Sequence, residues 1–179
     1  MSEQSSVRQR KRRIVLLILS CILLVSGAIG GYFLLSQQDE AKIKKHLDEF
    51  ALNISKSEQE NPARTLLKLK SAADALDYPA TVNIEGMDLN FDSPETFTST
   101  LGRYRAMCKF LQLDFTDMTV TLDKSGRAVA EIQAHCTAEP KSYGGRISEA
   151  YDISATLVKN NNKWKIKTVK AVKALNRGK

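Results

Sequence analysis

The sequence predicts an α+β domain behind a membrane-spanning helix, and three observations support this. Residues 14–35 carry no charged side chain. After that run, apolar residues recur with helical spacing as far as Leu111, and from Leu113 onward they alternate with polar ones, as in strands. Helices followed by strands are typical of α+β folds, in which a sheet packs its apolar face on the helices.

Length and composition limit the class of protein. With 179 residues, of which 27 are basic, 20 acidic and 42% hydrophobic, the chain has room for one domain and an appendage, which excludes large multidomain enzymes. Nine Gly and four Pro exclude collagen-like and Pro-rich disordered chains, and three Cys are too few for a disulfide scaffold.

The uncharged run predicts the topology. A helix over residues 14–35 rises about 33 Å, enough to cross a hydrocarbon layer of about 30 Å. Five basic residues precede it, which keeps that end in the cytoplasm. We therefore predict a cytoplasmic basic tail over 1–13, a transmembrane helix over 14–35 and an extracytoplasmic domain over 36–179. The chain is then a single-pass protein of the inner (cytoplasmic) membrane with its domain in the periplasm or outside the cell.

Two other interpretations of this segment stay open. A cleaved signal peptide has a shorter apolar region, of about 7–15 residues, and a small-residue exit site, whereas this run ends in Tyr32-Phe33-Leu34-Leu35. Cys21 loosely resembles a bacterial lipidation site, but Leu19 is atypical there and the apolar run continues past the cysteine. Both patterns favour an uncleaved anchor.

The domain begins with three predicted helices and a short strand. The first helix has an apolar face formed by Ile43, Leu47, Phe50, Ala51 and Ile54. Asn61-Pro62 caps a second, whose core face includes Leu66, Leu67 and Leu69, and a strand is predicted over 80–85. Ser93-Pro94-Glu95 starts the third helix, and spacings of four and three residues align its apolar face, which consists of Phe97, Leu101, Tyr104, Cys108 and Leu111.

Four strands follow, over 113–122, 128–138, 146–158 and 163–172, joined by turns at 123–126, 144–145 and 160–162. Their order predicts an antiparallel meander. In the second strand the even positions, from Ala128 to Ala138, form the buried face, so His135 points outward.

This order of elements, the short strand before the Ser93-Pro94-Glu95 helix and the ending Val158-Lys159-Asn160-Asn161-Asn162-Lys163-Trp164-Lys165-Ile166 resemble the nuclear transport factor 2-like superfamily over residues 41–175. The resemblance implies a cone-shaped α+β fold of the cystatin-like type, with a curved antiparallel sheet wrapped around about three helices. That fold is found in ketosteroid isomerase, scytalone dehydratase and polyketide cyclases, and equally in binding and assembly modules without catalysis.

The similar enzymes use a carboxylate or a His–Asp pair inside the cone. The predicted inward positions offer Phe97, Leu101, Tyr104, Glu149, Tyr151 and Trp164, as either core or pocket lining. A raised pKa would make Glu149 a candidate general base. His46, His135 and Asp152 fall outside the interior, and no metal-ligand spacing, phosphate-binding loop or catalytic triad occurs. We therefore predict no catalytic residue, no metal and no cofactor, which favours a protein that is not an enzyme.

Cys108 and Cys136 both project to the predicted interior, and two alternatives stay open for them. A disulfide would close a loop of about 28 residues and contribute on the order of 3–4 kcal/mol in an oxidising compartment. The other alternative is two separately buried thiols.

The chain ends with a basic stripe formed by Lys163, Lys165, Lys167, Lys170 and Lys173. It is either a solvated strand face or a basic interaction face for an acidic protein or lipid headgroups. Because no aromatic residue beyond Trp164 interleaves with these lysines, nucleic acid is not an expected partner.

The leading hypothesis is a non-catalytic interaction or assembly module, a subunit or accessory of a bacterial envelope complex. Its expected partners are the bilayer through residues 14–35, other membrane or envelope proteins, and a second copy in a homo-oligomer. The alternative is a small-ligand binder or an isomerase- or cyclase-like enzyme that uses the cone cavity. A third hypothesis is a lipid-associated accessory protein that binds headgroups through the basic stripe.

Overall fold

The computed structural model describes residues 37–123, 125–142 and 144–174. The predicted tail over 1–13 and spanning helix over 14–35 lie outside the described residues and stay predictions. Within the described ranges, no helix is long and apolar enough to cross a membrane. The chain divides into two units, Met1–Asp39 and Glu40–Lys179, and the following description concerns the second.

Three helices form, and the second and third begin at the predicted caps. Their bounds are 37–54 for α1, Pro62–Asp74 for α2 and Pro94–Met107 for α3. Asn61 Oδ1 accepts hydrogen bonds from the backbone N–H groups of Ala63 at 2.7 Å and Arg64 at 3.3 Å. Ser93 Oγ accepts one from Thr96 at 3.3 Å. A proline follows each cap, at a position where its missing N–H leaves no donor unsatisfied.

Six strands form one curved, unclosed sheet. Their bounds are Leu76–Ile84 for β1, Met87–Phe91 for β2, Cys108–Leu122 for β3, Arg127–Pro140 for β4, Ile147–Asn160 for β5 and Lys163–Lys173 for β6. The strand order is β2-β1-β6-β5-β4-β3, and only the β1–β6 pair is parallel. The predicted meander of the last four strands is confirmed. The prediction missed β2, the longer β1 and the parallel pair.

The third helix ends earlier than predicted. Cys108 and Leu111, expected on the helix, lie in β3. There the backbone N–H of Lys56 donates to Leu111 O at 2.6 Å, and the N–H of Leu111 donates back to Lys56 O at 3.0 Å. This pairing joins residues far apart in the chain and overrides the helical spacing.

The apolar face of the sheet packs on the helices. The predicted α1 face is confirmed, with Ile43 and Leu47 almost fully buried. The even positions of β4 are also buried or half-buried, as predicted. We call this side of the sheet the inner face and the opposite side, which carries His135, the outer face.

One predicted core face is wrong. Leu66 and Leu67 of α2 are 68% and 67% exposed. The helix buries Leu69, Ala72 and Ala73 instead. These three lie in the second half of the helix, whereas residues 62–64, 66 and 67 in its first half are all exposed. Leu66 shares the face of Leu69 and Ala73, but the first half of the helix extends beyond the core.

Candidate functional site

The interior of the cone is filled by side chains. Phe97 is buried, with its ring 5.1 Å from that of Phe91 in an edge-on arrangement and 6.4 Å from that of Phe50. Trp164 is also buried, and Leu101 packs against the same cluster. Of the residues predicted as core or pocket lining, these three are core. Tyr104 is 48% exposed and contributes to neither.

Of the remaining two, Glu149 lines an open groove of about 1060 Å³. Tyr151 lies behind it on the same strand and contacts the groove only through its hydrogen bond to Glu149. The turn between β1 and β2, the start of β5 and the end of β6 form its walls. Aliphatic side chains such as Ile147 and Val172 line it together with charged ones, which are Glu85, Glu149, Lys170 and Lys173. The groove therefore offers both apolar contact and charge to a ligand or a partner.

Glu149 is the centre of the polar part of this groove. The Tyr151 hydroxyl donates to Glu149 Oε2 at 2.6 Å, and the Lys173 ammonium donates to Oε1. Strand register accounts for the cluster, because Tyr151 and Lys173 are direct partners across β5 and β6 and Glu149 lies two positions from Tyr151 on the same face.

These contacts make Glu149 a weak base. The hydrogen bonds from Lys173 and then Tyr151 lower the pKa of Glu149 below its ordinary value. The same bond to Glu149, together with burial, raises the pKa of Tyr151. The raised pKa that a general base at position 149 would need is therefore not present, because the carboxylate is ion-paired and partly exposed to solvent instead of being buried alone.

The two histidines lie apart from the groove, as predicted. His135 is exposed on the outer face, opposite Ala150. His46 on α1 places Nε2 3.3 Å from Ala75 O, and burial lowers its pKa. Throughout the described ranges, no group of histidine, cysteine and acidic residues is placed to hold a metal ion.

Cys108 and Cys136 are free thiols. Cys108 pairs with Pro140, whereas Cys136 pairs with Leu113. Four residues of strand separate Pro140 from Cys136, roughly 13 Å. A disulfide needs Cα atoms within about 7 Å. The disulfide was considered with Cys108 on the third helix, whereas Cys108 lies in β3. The structure therefore has two separate thiols.

The basic stripe does not form one face. A register shift between Ile166 and Thr168 moves the later lysines out of phase with the earlier ones. Lys173 lies on the inner face with Glu149, and Lys167 Nζ is 3.1 Å from Asp77 Oδ2. The stripe members that share the outer face are Lys163, Lys165 and Lys170.

A buried charged cluster was missed by the sequence analysis. Arg105 and Glu60 form an ion pair with both side chains at most 2% exposed. Arg105 Nη1 also donates to three carbonyls at the end of α1 and just after it, those of Asn53 at 2.6 Å, Ile54 at 2.9 Å and Ser55 at 3.0 Å. The cluster thus joins the end of α1 to α3. Arg105 follows Leu101 by four residues and so lies near its helix face, but Tyr104 lies near the same face, so spacing alone does not single out the arginine.

Two lysines complete this cluster. Lys68 Nζ is 2.8 Å from both Glu60 Oε1 and Ser55 O. Lys56 Nζ donates to the carbonyls of Arg105 at 2.9 Å and Cys108 at 2.6 Å, at the junction of α3 and β3. Burial raises the pKa of Glu60, but hydrogen bonds from Lys68 and Thr65 and the charge of Arg105 outweigh it and hold that pKa below its ordinary value. The cluster is structural and lies beneath the surface.

The fold is similar to that of several solved proteins. A candidate scytalone dehydratase from Novosphingobium aromaticivorans superposes with a TM-score of 0.65 at 8% identity, over 78% of this chain and 87% of that one. A type 2 hexachlorocyclohexane dehydrochlorinase gives 0.65 at 11% identity, over 78% and 88%. An NTF2-like protein with a cystatin-like fold, also from N. aromaticivorans, gives 0.64 at 10% identity, over 83% and 89%.

These similarities show the nuclear transport factor 2-like fold that the sequence resemblance implied. At such low identities they show nothing about activity, because this fold has many unrelated functions. No protein-family model matches the chain, and no curated protein is similar to it in sequence.

Proposed function

We propose that this protein is a non-catalytic interaction module, anchored in the cytoplasmic membrane by residues 14–35, whose domain binds envelope proteins on the far side. The observation that supports it best is the apolar interior of the cone. The enzymes that the sequence resembles use ionisable groups inside the cone, whereas Phe50, Phe91, Phe97 and Trp164 form one buried apolar cluster there.

The state of the groove carboxylate supports the same proposal. A general base works best when its pKa lies near the working pH. The contacts of Glu149 lower its pKa, and its proton-accepting oxygens are already engaged by Tyr151 and Lys173. A groove with an apolar rim and a neutralised ion pair is suited to binding a polypeptide segment, which offers side chains of both kinds.

The anchor part of the proposal rests on the sequence. An uncharged run of membrane length follows a basic segment, as in proteins whose amino-terminal end stays in the cytoplasm. Such an anchor confines the domain to a surface and raises its effective concentration toward other membrane proteins. Protease added to spheroplasts should degrade the domain while residues 1–13 stay protected. A domain spared under these conditions would contradict the proposed address.

Crosslinking in native membranes tests the interaction role. A photoreactive amino acid in place of Ile147, 43% exposed at the groove, should capture a specific envelope protein. The matched control carries the same group in place of Leu66, which is exposed on α2 away from the groove. Equal products from both positions, or none from position 147, would count against the groove as the binding surface.

A ligand-binding enzyme is the second candidate function. Two observations favour it: the solved structures of this fold include proteins named for dehydration and dehydrochlorination, and Glu149, hydrogen-bonded to Tyr151, lines an open groove. Native mass spectrometry of the purified full chain tests it. A bound small molecule that is lost in Tyr151→Phe would favour this candidate, and a ligand-free chain that still captures a protein partner would exclude it.

A further inference from the structure

We propose that the first half of α2 docks on the bilayer, with Leu67 inserted among the lipids and Arg64 and Lys70 bound to anionic headgroups. The inference rests on the membrane anchor of the proposed function, which keeps the domain beside a bilayer. It adds a second membrane contact, on a helix that contributes no residue to the groove. Exposure, side-chain spacing and charge along α2 support it.

The first half of α2 exposes apolar side chains that the core does not use. Leu66 and Leu67 are 68% and 67% exposed, the highest values among the large apolar side chains of the described residues. Pro62 and Ala63, one turn before them, are exposed as well. A single exposed leucine is ordinary, but neighbouring apolar side chains on one short stretch of helix mark a surface for a partner or a membrane.

Helical spacing surrounds Leu67 with small and basic side chains. Residues three and four positions apart are neighbours on the surface of a helix. Arg64 and Lys70 lie three positions from Leu67, Ala63 and Ser71 lie four positions from it, and all of them are exposed. The two small residues let a flat surface approach closely, and the two long basic side chains flank the leucine on both sides.

The charges on this surface favour an anionic partner. Arg64 and Lys70 form no ion pair with an acidic side chain in the part of the chain that the structure describes. Glu60 does not offset them, because it is buried in its pair with Arg105. Asp74, one turn beyond Lys70, does not pair with it. The surface therefore presents two positive charges around a leucine, and these complement the phosphate groups of anionic lipids.

A bilayer fits this surface better than a folded protein does. The surface belongs to a single helix, so it has no second wall. Lipids rearrange around a projecting leucine, whereas a folded partner would need a pocket that matches it. The stems of arginine and lysine can lie along apolar surface while their charged ends stay in water, at the level of the headgroups. Leucines flanked by basic residues are typical of helices that lie in a membrane interface.

The predicted anchor brings the bilayer within reach of α2. The helix α1 is described from residue 37, shortly after the uncharged run over 14–35. Lys68 Nζ donates to Ser55 O at 2.8 Å, which places α2 beside the end of α1. Because α1 extends about 27 Å, α2 meets the bilayer only when α1 lies along its surface. The contact thus predicts one orientation of the domain on the membrane.

Quenching by nitroxide-labelled lipid tests the contact in the full chain, reconstituted in nanodiscs of phosphatidylcholine and phosphatidylglycerol. A fluorescent amino acid in place of Leu67 should be quenched. The same group in place of Val129 should not be, because Val129 is exposed on the outer face of the sheet, opposite the helices. In nanodiscs of phosphatidylcholine alone, the ratio of docked to undocked domain reported at position 67 should fall at least about tenfold.

Charge reversal tests the role of the two bases. Arg64→Glu combined with Lys70→Glu should lower the same ratio at least about tenfold. The matched control, Lys163→Glu combined with Lys170→Glu, changes the net charge equally on the outer face and should leave the ratio unchanged. Circular dichroism checks that both double variants are folded.

Three results would overturn the proposal: no quenching at position 67, equal quenching at positions 67 and 129, or quenching at position 67 that survives the reversal of Arg64 and Lys70. The protease assay on spheroplasts reports the anchor separately. A degraded domain with a protected segment 1–13, together with absent quenching, would refute the docking and leave the proposed function intact. A chain that does not remain with the nanodiscs would contradict the anchor and this inference with it.

Discussion

Two glutamates of this molecule have similar partners in opposite surroundings. Glu60 forms ion pairs with Arg105 and Lys68 and accepts a hydrogen bond from the hydroxyl of Thr65, and its side chain is 1% exposed. Glu149 forms an ion pair with Lys173 and accepts a hydrogen bond from the hydroxyl of Tyr151, and its side chain is 33% exposed. Two cations and a hydroxyl bind the first carboxylate, one cation and a hydroxyl bind the second, and the pKa of each is lowered.

The difference in burial gives the two clusters different roles: the buried cluster stabilises the fold, and the exposed one is available for binding. At Glu60 water cannot replace a lost partner, so each group depends on the others and the cluster holds α1, α2 and α3 together. At Glu149 water can solvate the carboxylate when Lys173 moves, so breaking this ion pair costs little free energy. A ligand or partner can compete for the second cluster and cannot reach the first.

The largest expected effect is at the buried cluster. Arg105→Ala removes a guanidinium that neutralises Glu60 and donates to three carbonyls at the end of α1 and just after it. Because it leaves Glu60 charged and buried, we expect the free energy of unfolding to fall by about 3–5 kcal/mol, measured by urea denaturation. The control is Arg146→Ala, which breaks exposed pairs with Glu58 and Glu139 and should cost below about 1 kcal/mol. Equal losses in the two variants would contradict the comparison.

The second effect is the pH dependence of stability. The pKa of Glu60 in the folded protein lies below its ordinary value of 4.5. Its ionised form is therefore favoured by folding, and this contribution is present above pH 4.5 and is lost as the pH falls through the lower folded value. We expect wild type to exceed Glu60→Gln in unfolding free energy at pH 7, with the gap closing below pH 4.5. Glu58→Gln, at an exposed pair, should show no comparable gap at either pH.

The smallest effect is at the groove. Glu149→Gln should change the unfolding free energy far less than Arg105→Ala, because water replaces the lost contacts. Its clear signal is the ionisation of Tyr151, whose pKa the carboxylate raises above 10.0. An ultraviolet titration should show this pKa falling in Glu149→Gln, while Tyr78, whose pKa burial raises to about 12, is unchanged. Tyr151→Phe identifies the transition, and an unaltered titration would mean that the two side chains do not interact.

The sequence predicted the local features of the fold well. The caps at Asn61 and Ser93, the α1 face and the alternation along β4 depend on neighbouring residues, so their patterns survive folding. The strand β2 and the parallel β1–β6 pair depend on residues far apart in the chain, and no local pattern indicates them.

The candidate site was predicted in part for the same reason. Period-two alternation placed Glu149 and Tyr151 together on the inner face, and this is confirmed by their hydrogen bond. The pattern could not indicate that Lys173 would join them, because the register shift near Lys167 changes the phase of β6. Nor could it indicate which of Tyr104 and Arg105 enters the core, since both positions lie near the face that Phe97 and Leu101 define.

By itself, the order of residues determined the α+β class, the starts of two helices and the inward face of the meander, because caps and periodicities act over a few residues. Tertiary structure alone decided that Arg105 is buried against Glu60 and that the cone is filled. It also decided that Glu149 opens onto a groove. Burial depends on which distant segments meet, and the strength of every interaction between charges depends on burial in turn.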